Sequence, residues 1–456
     1  MDSHIIEALT KIVGPDRLEV AAEELQCYSY DGTAQEYLPE AVAFPTSTEQ
    51  ISRIMALATR HGLPVVPRGA GSGMTGGSLP VAGGLVLALA GMNRILEIDQ
   101  DNQLAIVEPG VITGNLRETL APLGLYYPPD PASLKFCTLG GNVAECAGGP
   151  SAVKYGVTRD YVLGLEVVLA DGRILTTGTQ TRKGVVGYDL TRLFIGSEGT
   201  LGIITKIILR LTGLPTARRT FLLLFDDMSR AAGLVAHMLR EHTPSTLEYL
   251  DHTALSLVAD QLPCRLPETT RAMLLVEVDG DPQSVALQAS RLDDFLDQHP
   301  EILARFQAEN AEQVTDLWQA RRAVSPAAFN LRPDKISEDV VVPRSKIPQL
   351  VACTEELSRR YGLPIFTFGH AGDGNIHVNI MLDREDGGEV ERANRAKKEL
   401  FREVIALHGT LSGEHGVGLT KAPFLDLELS ETSLALQRQL KNLFDPLNIL
   451  NPGKIF

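Results

Sequence analysis

The chain has 456 residues, of which 44% are hydrophobic and 22% charged, the composition of a globular protein long enough for two or three domains with buried cores. A formal charge of −15 sets nucleic acid and anionic membrane surfaces aside as partners, because both repel an acidic body, and no run approaches the ~20 apolar residues of a membrane span. Five scattered cysteines without a C-x-x-C predict neither a disulfide framework nor an iron–sulfur cluster. The N-terminus lacks a basic, then apolar, leader, so a soluble cytoplasmic protein is expected.

Residues 4–26 carry helical spacing broken at Gly14-Pro15. A short strand over 41–45 then leads into a helix that opens on a capping box of Ser47 and Gln50, places Ile51, Ile54, Met55 and Ala58 on one face, and stops at Gly62. A strand over 63–67 completes a β-α-β unit and delivers Arg68 and the run G-A-G-S-G-M-T-G-G (69–77) from its end, where α/β folds hold ligands. The spacing of Gly71, Gly73 and Gly76 matches G-x-G-x-x-G literally. A Rossmann fingerprint needs the last glycine to open a helix, and here Pro80 and Gly83-Gly84 follow. No Lys-Ser/Thr pair makes it a Walker loop either. What is left is a nest of backbone N–H groups for phosphate oxygens, or a mobile surface loop.

Strand-like runs follow at 85–90, 94–98 and 104–110, then a helix over 113–123 and the stiff P-P-D-P (128–131). A second glycine-dense stretch spans 138–156. A hairpin turned at Asp171-Gly172 is expected over 163–176, and a third small-residue loop lies within 193–211. From Leu214-Pro215 the glycines thin out. Strands near 221–225, 247–250 and 273–278, helices near 229–241, 252–261 and 283–298, and strands at 338–342, 364–369 and 376–381 suggest a split β-α-β layer, and the tail ends in L-N-P-G-K-I-F.

Chemistry concentrates in F-G-H-A-G-D-G-N-I-H-V-N-I (368–380) and G-E-H-G (413–416). Ile376, Val378 and Ile380 alternate with His377 and Asn379, so a strand sends the apolar set one way and the polar pair the other. His370 ends the preceding strand, and a hairpin brings it beside His377. With Glu414 and His415 between glycines, two imidazoles and a carboxylate suit Zn²⁺, Mn²⁺ or Fe²⁺ with open positions; a hydrogen-bonded histidine cluster is the other reading. Helical W-Q-A-R-R (318–322) and Lys335 offer cations of the kind that clamp a carboxylate, or a solvated face.

The three glycine regions, in this order and joined to H-A-G-D-G-N-I-H and G-E-H-G, resemble the FAD-linked 2-hydroxy-acid dehydrogenases of the vanillyl-alcohol-oxidase superfamily, which include the glycolate oxidase flavin subunit, D-lactate dehydrogenases and D-2-hydroxyglutarate dehydrogenase. The resemblance spans nearly the whole chain. It implies an α+β fold: a two-subdomain FAD-binding domain (1–213), an α+β substrate or cap domain (214–410) and a C-terminal segment (411–456) that returns to the first domain.

Residue by residue, the resemblance makes Arg68, Gly69, Ala70, Gly71, Ser72, Gly73, Thr75, Gly76 and Ser78 the pyrophosphate loop. Pro129, Asp130, Pro131, Ser133, Thr138, Gly140, Gly141, Asn142, Ala144, Gly148, Gly149, Tyr155 and Gly156 become the wall beside the ribityl chain and ring, Ile203 and Ile204 the strand on the adenine side, and Asn451 a residue returning toward the flavin. Relatives with histidyl-linked flavin carry a histidine in the first loop; Ala70 and Gly71 stand there, so FAD is expected to be noncovalent. His370, His377 and Glu414 are implied as metal ligands, Zn²⁺ ahead of Mn²⁺ or Fe²⁺, with His415 as catalytic base. Arg321, Ser325, Lys335 and Asn379 are implied to hold the substrate, Ser325 standing where relatives can carry threonine. The implied reaction oxidises a small (R)-2-hydroxy acid or glycolate, with D-2-hydroxyglutarate second. Electrons would pass to an iron–sulfur subunit, an electron-transferring flavoprotein or a quinone, and any membrane attachment would run through that partner. A homodimer stays open, as do two remoter functions: a nonredox transferase like alkyl-dihydroxyacetonephosphate synthase, and a catalytically silent flavoprotein subunit.

Overall fold

The computed structural model describes residues 1–33 and 35–456. The chain divides into two compact units, the first formed by 1–147, 157–214 and 414–456 and the second by 148–156 and 215–413.

The first unit contains β1 (Leu18–Glu19), β2 (Ala41–Ala43), β3 (Val65–Arg68), β4 (Leu85–Ala88), β5 (Ile95–Asp99), β6 (Leu104–Val107), β7 (Leu125–Tyr126), β8 (Val162–Val168), β9 (Ile174–Gly178), β10 (Ile203–Arg210) and β11 (Thr212–Gly213). Two sheets are ordered β1-β2-β4-β3 and β5-β6-β10-β8-β9, and β11 with β7 makes a separate two-stranded ladder. The expected β-α-β unit is present, but β2 and β3 are not neighbours: β4, the strand after the glycine loop, pairs parallel with both and sits between them. The helix Thr48–His61 begins where Ser47 Oγ accepts from the Gln50 N–H at 3.3 Å, and it ends at Gly62 with φ +60. Its capping box is incomplete, since the Gln50 side chain accepts from the Thr46 N–H at 2.8 Å instead of reaching back to Ser47. Ile51, Ile54, Met55 and Ala58 are buried in one core with Leu9 and Val13 of the helix Ser3–Val13 and with Val65, Leu85 and Leu87, each large side chain contributing about 1.5–3 kcal/mol by leaving water. The hairpin of β8 and β9 turns at Asp171-Gly172, with Val168 opposite Ile174. The chain's tail lies beside β3, where the Val65 N–H donates to Ile449 O at 2.7 Å and the Asn451 N–H to Val65 O at 2.8 Å.

The second unit is built on one seven-stranded antiparallel sheet of β12 (Ala217–Phe225), β13 (Thr246–Leu250), β14 (Ala272–Gly280), β15 (Ala304–Gln307), β16 (Asp334–Val341), β17 (Ile365–His370) and β18 (Asn375–Leu382), in the order β15-β12-β14-β13-β17-β18-β16. Leu222, Leu224, Leu250, Leu275, Phe366, Phe368 and Met381 form one core with Leu317, Ala320 and Val324 of the helix Ala311–Ala327. Strand alternation puts Glu248, His370, His377, Asn379 and, by the register of β16 with β18, Asp339 and Lys335 on that same face. All five cysteines are free. Among the described residues no helix is long and apolar enough to cross a membrane.

Candidate active site

Arg68 closes the base of the first glycine loop. Its guanidinium is buried, with Nη2 donating to Tyr30 O at 2.7 Å and Nη1 to Ser78 Oγ at 3.3 Å. A Cβ on Gly69 would stand 2.3 Å from Thr138 Oγ1, so the first two glycine regions pack too closely for any larger residue there. The loop opens on a cavity within the first unit, lined by Arg68 to Gly73, Ser78, Pro131, Ser133, Thr138, Gly140, Gly141, Asn142, Ala144, Ile203 and Ile204, and also by Glu145, Glu198, Glu414 and His415.

The turn that carries His415 is held by main-chain contacts. The Thr75 hydroxyl donates to His415 O at 3.1 Å, the Leu419 N–H to Thr75 O at 2.7 Å, and the Val417 and Gly418 N–H groups to the Glu198 carboxylate at 2.7 and 2.8 Å. Gly416 has φ +80, and a Cβ there would meet Glu145 Oε2 at 2.0 Å. The backbone is thereby fixed where His415 lines the cavity. Asn451 is not in the cavity wall. Its amide donates to Gly77 O and Glu198 O, both at 2.7 Å, tying the tail to the glycine loop.

Two acids in this wall were not singled out by sequence. Burial first, then Glu198 and Asp31, push the Glu145 carboxyl well above its usual range, with Lys421 acting against them. Burial likewise raises Glu198, offset by the N–H groups of Val417 and Gly418. The sign follows from proton linkage: below about pH 4.5, the ordinary value, both folded and unfolded chains hold the Glu145 proton. Above it the unfolded chain releases the proton first, so stability falls as pH rises toward the folded value. Glu145→Gln in the FAD-free protein is therefore expected to lose less melting temperature than wild type as pH is raised from about 5. Parallel melting curves against pH would contradict a raised Glu145 pKa.

In the second unit, β17 and β18 set the His370 and His377 ring centroids 5.1 Å apart. Glu248 of β13, fully buried, accepts on one oxygen from His370 Nδ1 at 2.5 Å and on the other from Arg321 Nε at 2.7 Å, with Arg321 Nη2 2.6 Å away in an ion pair. Burial raises the Glu248 pKa, but His370 and Arg321 outweigh it and hold the carboxyl below its usual range. Breaking such a buried pair costs about 3–5 kcal/mol, because a charge is left uncompensated. Arg321 also lies over the Phe368 ring at 4.6 Å. Asp339 Oδ1 is 3.7 Å from His377 Nδ1, and its Oδ2 accepts from the Gly413 N–H at 2.9 Å, which fixes the backbone one residue before Glu414. Lys335 Nζ donates to Ser325 Oγ at 2.6 Å. Asn379 is fully buried, and neither of its amide atoms has a hydrogen-bond partner among the described residues.

The structure thus gathers most of the sequence-named cofactor residues around one cavity, and His370, His377 and Asn379 on one sheet face with Arg321 of the helix packed on it. Gly148, Gly149, Tyr155 and Gly156 fall in the second unit, where the Tyr155 hydroxyl donates to Asp279 at 2.9 Å. Thr75 and Gly76 brace the turn at 415–419, Gly76 lying against Leu419. Pro129 and Asp130 are outside the cavity lining.

Residues 39–178 match the model for the FAD binding domain, and residues 214–455 match that for FAD linked oxidases, C-terminal domain. The chain belongs to the FAD-linked oxidase family. It is 43% identical to the glycolate oxidase subunit GlcD of Bacillus subtilis, over 99% of this chain and 96% of that protein. It is 35% identical to a probable mitochondrial D-lactate dehydrogenase of Danio rerio, over 99% and 91%. Its fold matches p-cresol methylhydroxylase with a TM-score of 0.83 at 20% identity, covering 99% of this chain and 96% of that one. This FAD-linked oxidoreductase therefore has the α+β fold expected from its sequence. The glycine loop and cavity fit the cofactor, since glycine backbone lies open along the wall and Arg68 stands at its base.

Proposed function

We propose that the protein oxidises a small (R)-2-hydroxy acid or glycolate to the 2-oxo acid, with D-lactate and glycolate first and D-2-hydroxyglutarate second. The observation that carries this reading is His415 in the wall of the flavin cavity, next to Glu414. The relatives named above, a glycolate oxidase subunit and a probable D-lactate dehydrogenase, support the substrate class.

Bound FAD would supply a hydride acceptor at N5, and a divalent cation, Zn²⁺ ahead of Mn²⁺ or Fe²⁺, would supply Lewis acidity that lowers the pKa of a bound hydroxyl. His370, His377 and Glu414 would hold that cation. Asp339 adds a second carboxylate beside His377, and imidazole with carboxylate is a donor set that suits these ions. His415 would take the substrate's hydroxyl proton. Arg321, with Nη1 unused by Glu248 in the pair described, and Lys335 with Ser325 would hold the substrate carboxylate. Asn379 supplies a buried amide whose missing partners a bound ligand could provide. Electrons would leave through a separate acceptor, an iron–sulfur subunit, an electron-transferring flavoprotein or a quinone, and the name of the Bacillus subtilis relative as a subunit supports such a partner.

Two results test this. Acid precipitation should release intact FAD, since Ala70 and Gly71 offer no linking side chain; flavin staying with the precipitate would contradict noncovalent binding. Dye-coupled turnover should yield 2-oxo acid from D-lactate or glycolate and little from L-lactate. Equal or faster L-lactate oxidation would overturn the enantiomer, and a strong preference for D-2-hydroxyglutarate the ranking.

A further inference from the structure

Glu248 makes no contact with the flavin cavity described above, yet it lies buried between two groups of the proposed substrate site. One of its oxygens meets His370 Nδ1 at 2.5 Å, and the other meets Arg321 Nε and Nη2 at 2.7 and 2.6 Å. A carboxylate with a guanidinium on one oxygen accepts from the imidazole on the other, so Nδ1 carries the hydrogen, and in the neutral ring Nε2 is then the nitrogen that can bind a metal. We propose that Glu248 is a positioning residue that locks His370 in the Nδ1–H tautomer with Nε2 as the metal-binding atom, and that aligns Arg321 from the same carboxylate.

The inference rests on the metal-assisted reading given above and deepens it. The sheet supplies the precision: Glu248 lies on β13 and His370 ends β17, and these two strands pair directly, Tyr249 opposite Gly369. Arg321 comes from the helix packed on that face and is braced by the Phe368 ring. A histidine that binds metal through one nitrogen commonly gives the hydrogen on the other to a carboxylate, which fixes the ring and raises its basicity. Glutamine at 248 can satisfy His370 or Arg321 with its single carbonyl oxygen but not both, and its amide would point hydrogens at whichever donor remains.

Zn²⁺ affinity, measured by competition with a chromophoric chelator on metal-depleted, FAD-loaded protein, should weaken about 10–100-fold in Glu248→Gln. FAD content should stay unchanged, and excess Zn²⁺ should recover part of the flavin-reduction rate. A residue that merely supports the fold would lower thermal stability without moving Zn²⁺ affinity. Tight, equal binding by wild type and variant would overturn this inference alone. Wild-type protein that takes up no Zn²⁺ would remove the metal reading and this inference with it. A second measurement needs no variant at position 248: ¹⁵N-histidine spectra of metal-depleted wild type, with the signal assigned through His370→Gln, should show His370 protonated at Nδ1, and protonation at Nε2 would overturn the proposal.

Discussion

Replacing His415 with asparagine is expected to slow flavin reduction by hydroxy acid by about 10²–10⁴-fold, the usual cost of a lost general base, while FAD stays bound at the wild-type level. The two effects separate because position 415 contributes differently through its main chain and its side chain. The carbonyl is held by the Thr75 hydroxyl and the following N–H groups by Glu198, contacts that asparagine preserves, whereas only the side chain is the proton acceptor proposed above. Product 2-oxo acid should still bind. Stopped-flow reduction beside flavin and metal content is the appropriate measurement, and a wild-type rate in His415→Asn would place the base elsewhere.

His377→Ala should instead lose the divalent metal and most of the rate, about 10²-fold or more, because Lewis-acid assistance contributes several kcal/mol to such a step. Its FAD should remain, since His377 lies on β18 in the second unit and the cavity lining is drawn entirely from the first. Excess Zn²⁺ or Mn²⁺ should restore part of the activity if Asp339, 3.7 Å from the original imidazole, retains some ligand capacity. Chelation of wild type should reproduce the loss. An unchanged wild-type rate after chelation would leave the histidines as a hydrogen-bonded cluster.

What the sequence displayed well was local. The glycine loop after β3, the hairpin at Asp171-Gly172 and the alternation of Ile376, Val378 and Ile380 against His377 and Asn379 all follow from short-range rules, and the structure keeps each of them. Pairing order was less legible: nothing within 41–67 announces that β4 will insert between β2 and β3, because that choice is made by a strand arriving after the loop. The acids were also missed. Glu145 in N-V-A-E-C and Glu198 in G-S-E-G-T each stand alone among small residues, a signal that could have flagged them, but their meaning depends on each other and on Gly416 across long separations in sequence. Glu248 gave less warning still, since one glutamate in S-T-L-E-Y-L alternates as a solvent-facing strand residue would. Only the adjacency of β13 with β17 reveals it as the partner of His370.

Anaerobic mixing of the purified, metal-replete protein with D-lactate or glycolate, followed by the loss of yellow flavin absorbance, decides whether the flavin cavity and His415 serve hydroxy-acid oxidation. Full bleaching by at least one of these acids is expected, with slower or absent bleaching by L-lactate and one 2-oxo acid formed per flavin reduced. A flavin that stays oxidised in the presence of glycolate, D-lactate and D-2-hydroxyglutarate alike would contradict hydroxy-acid oxidation.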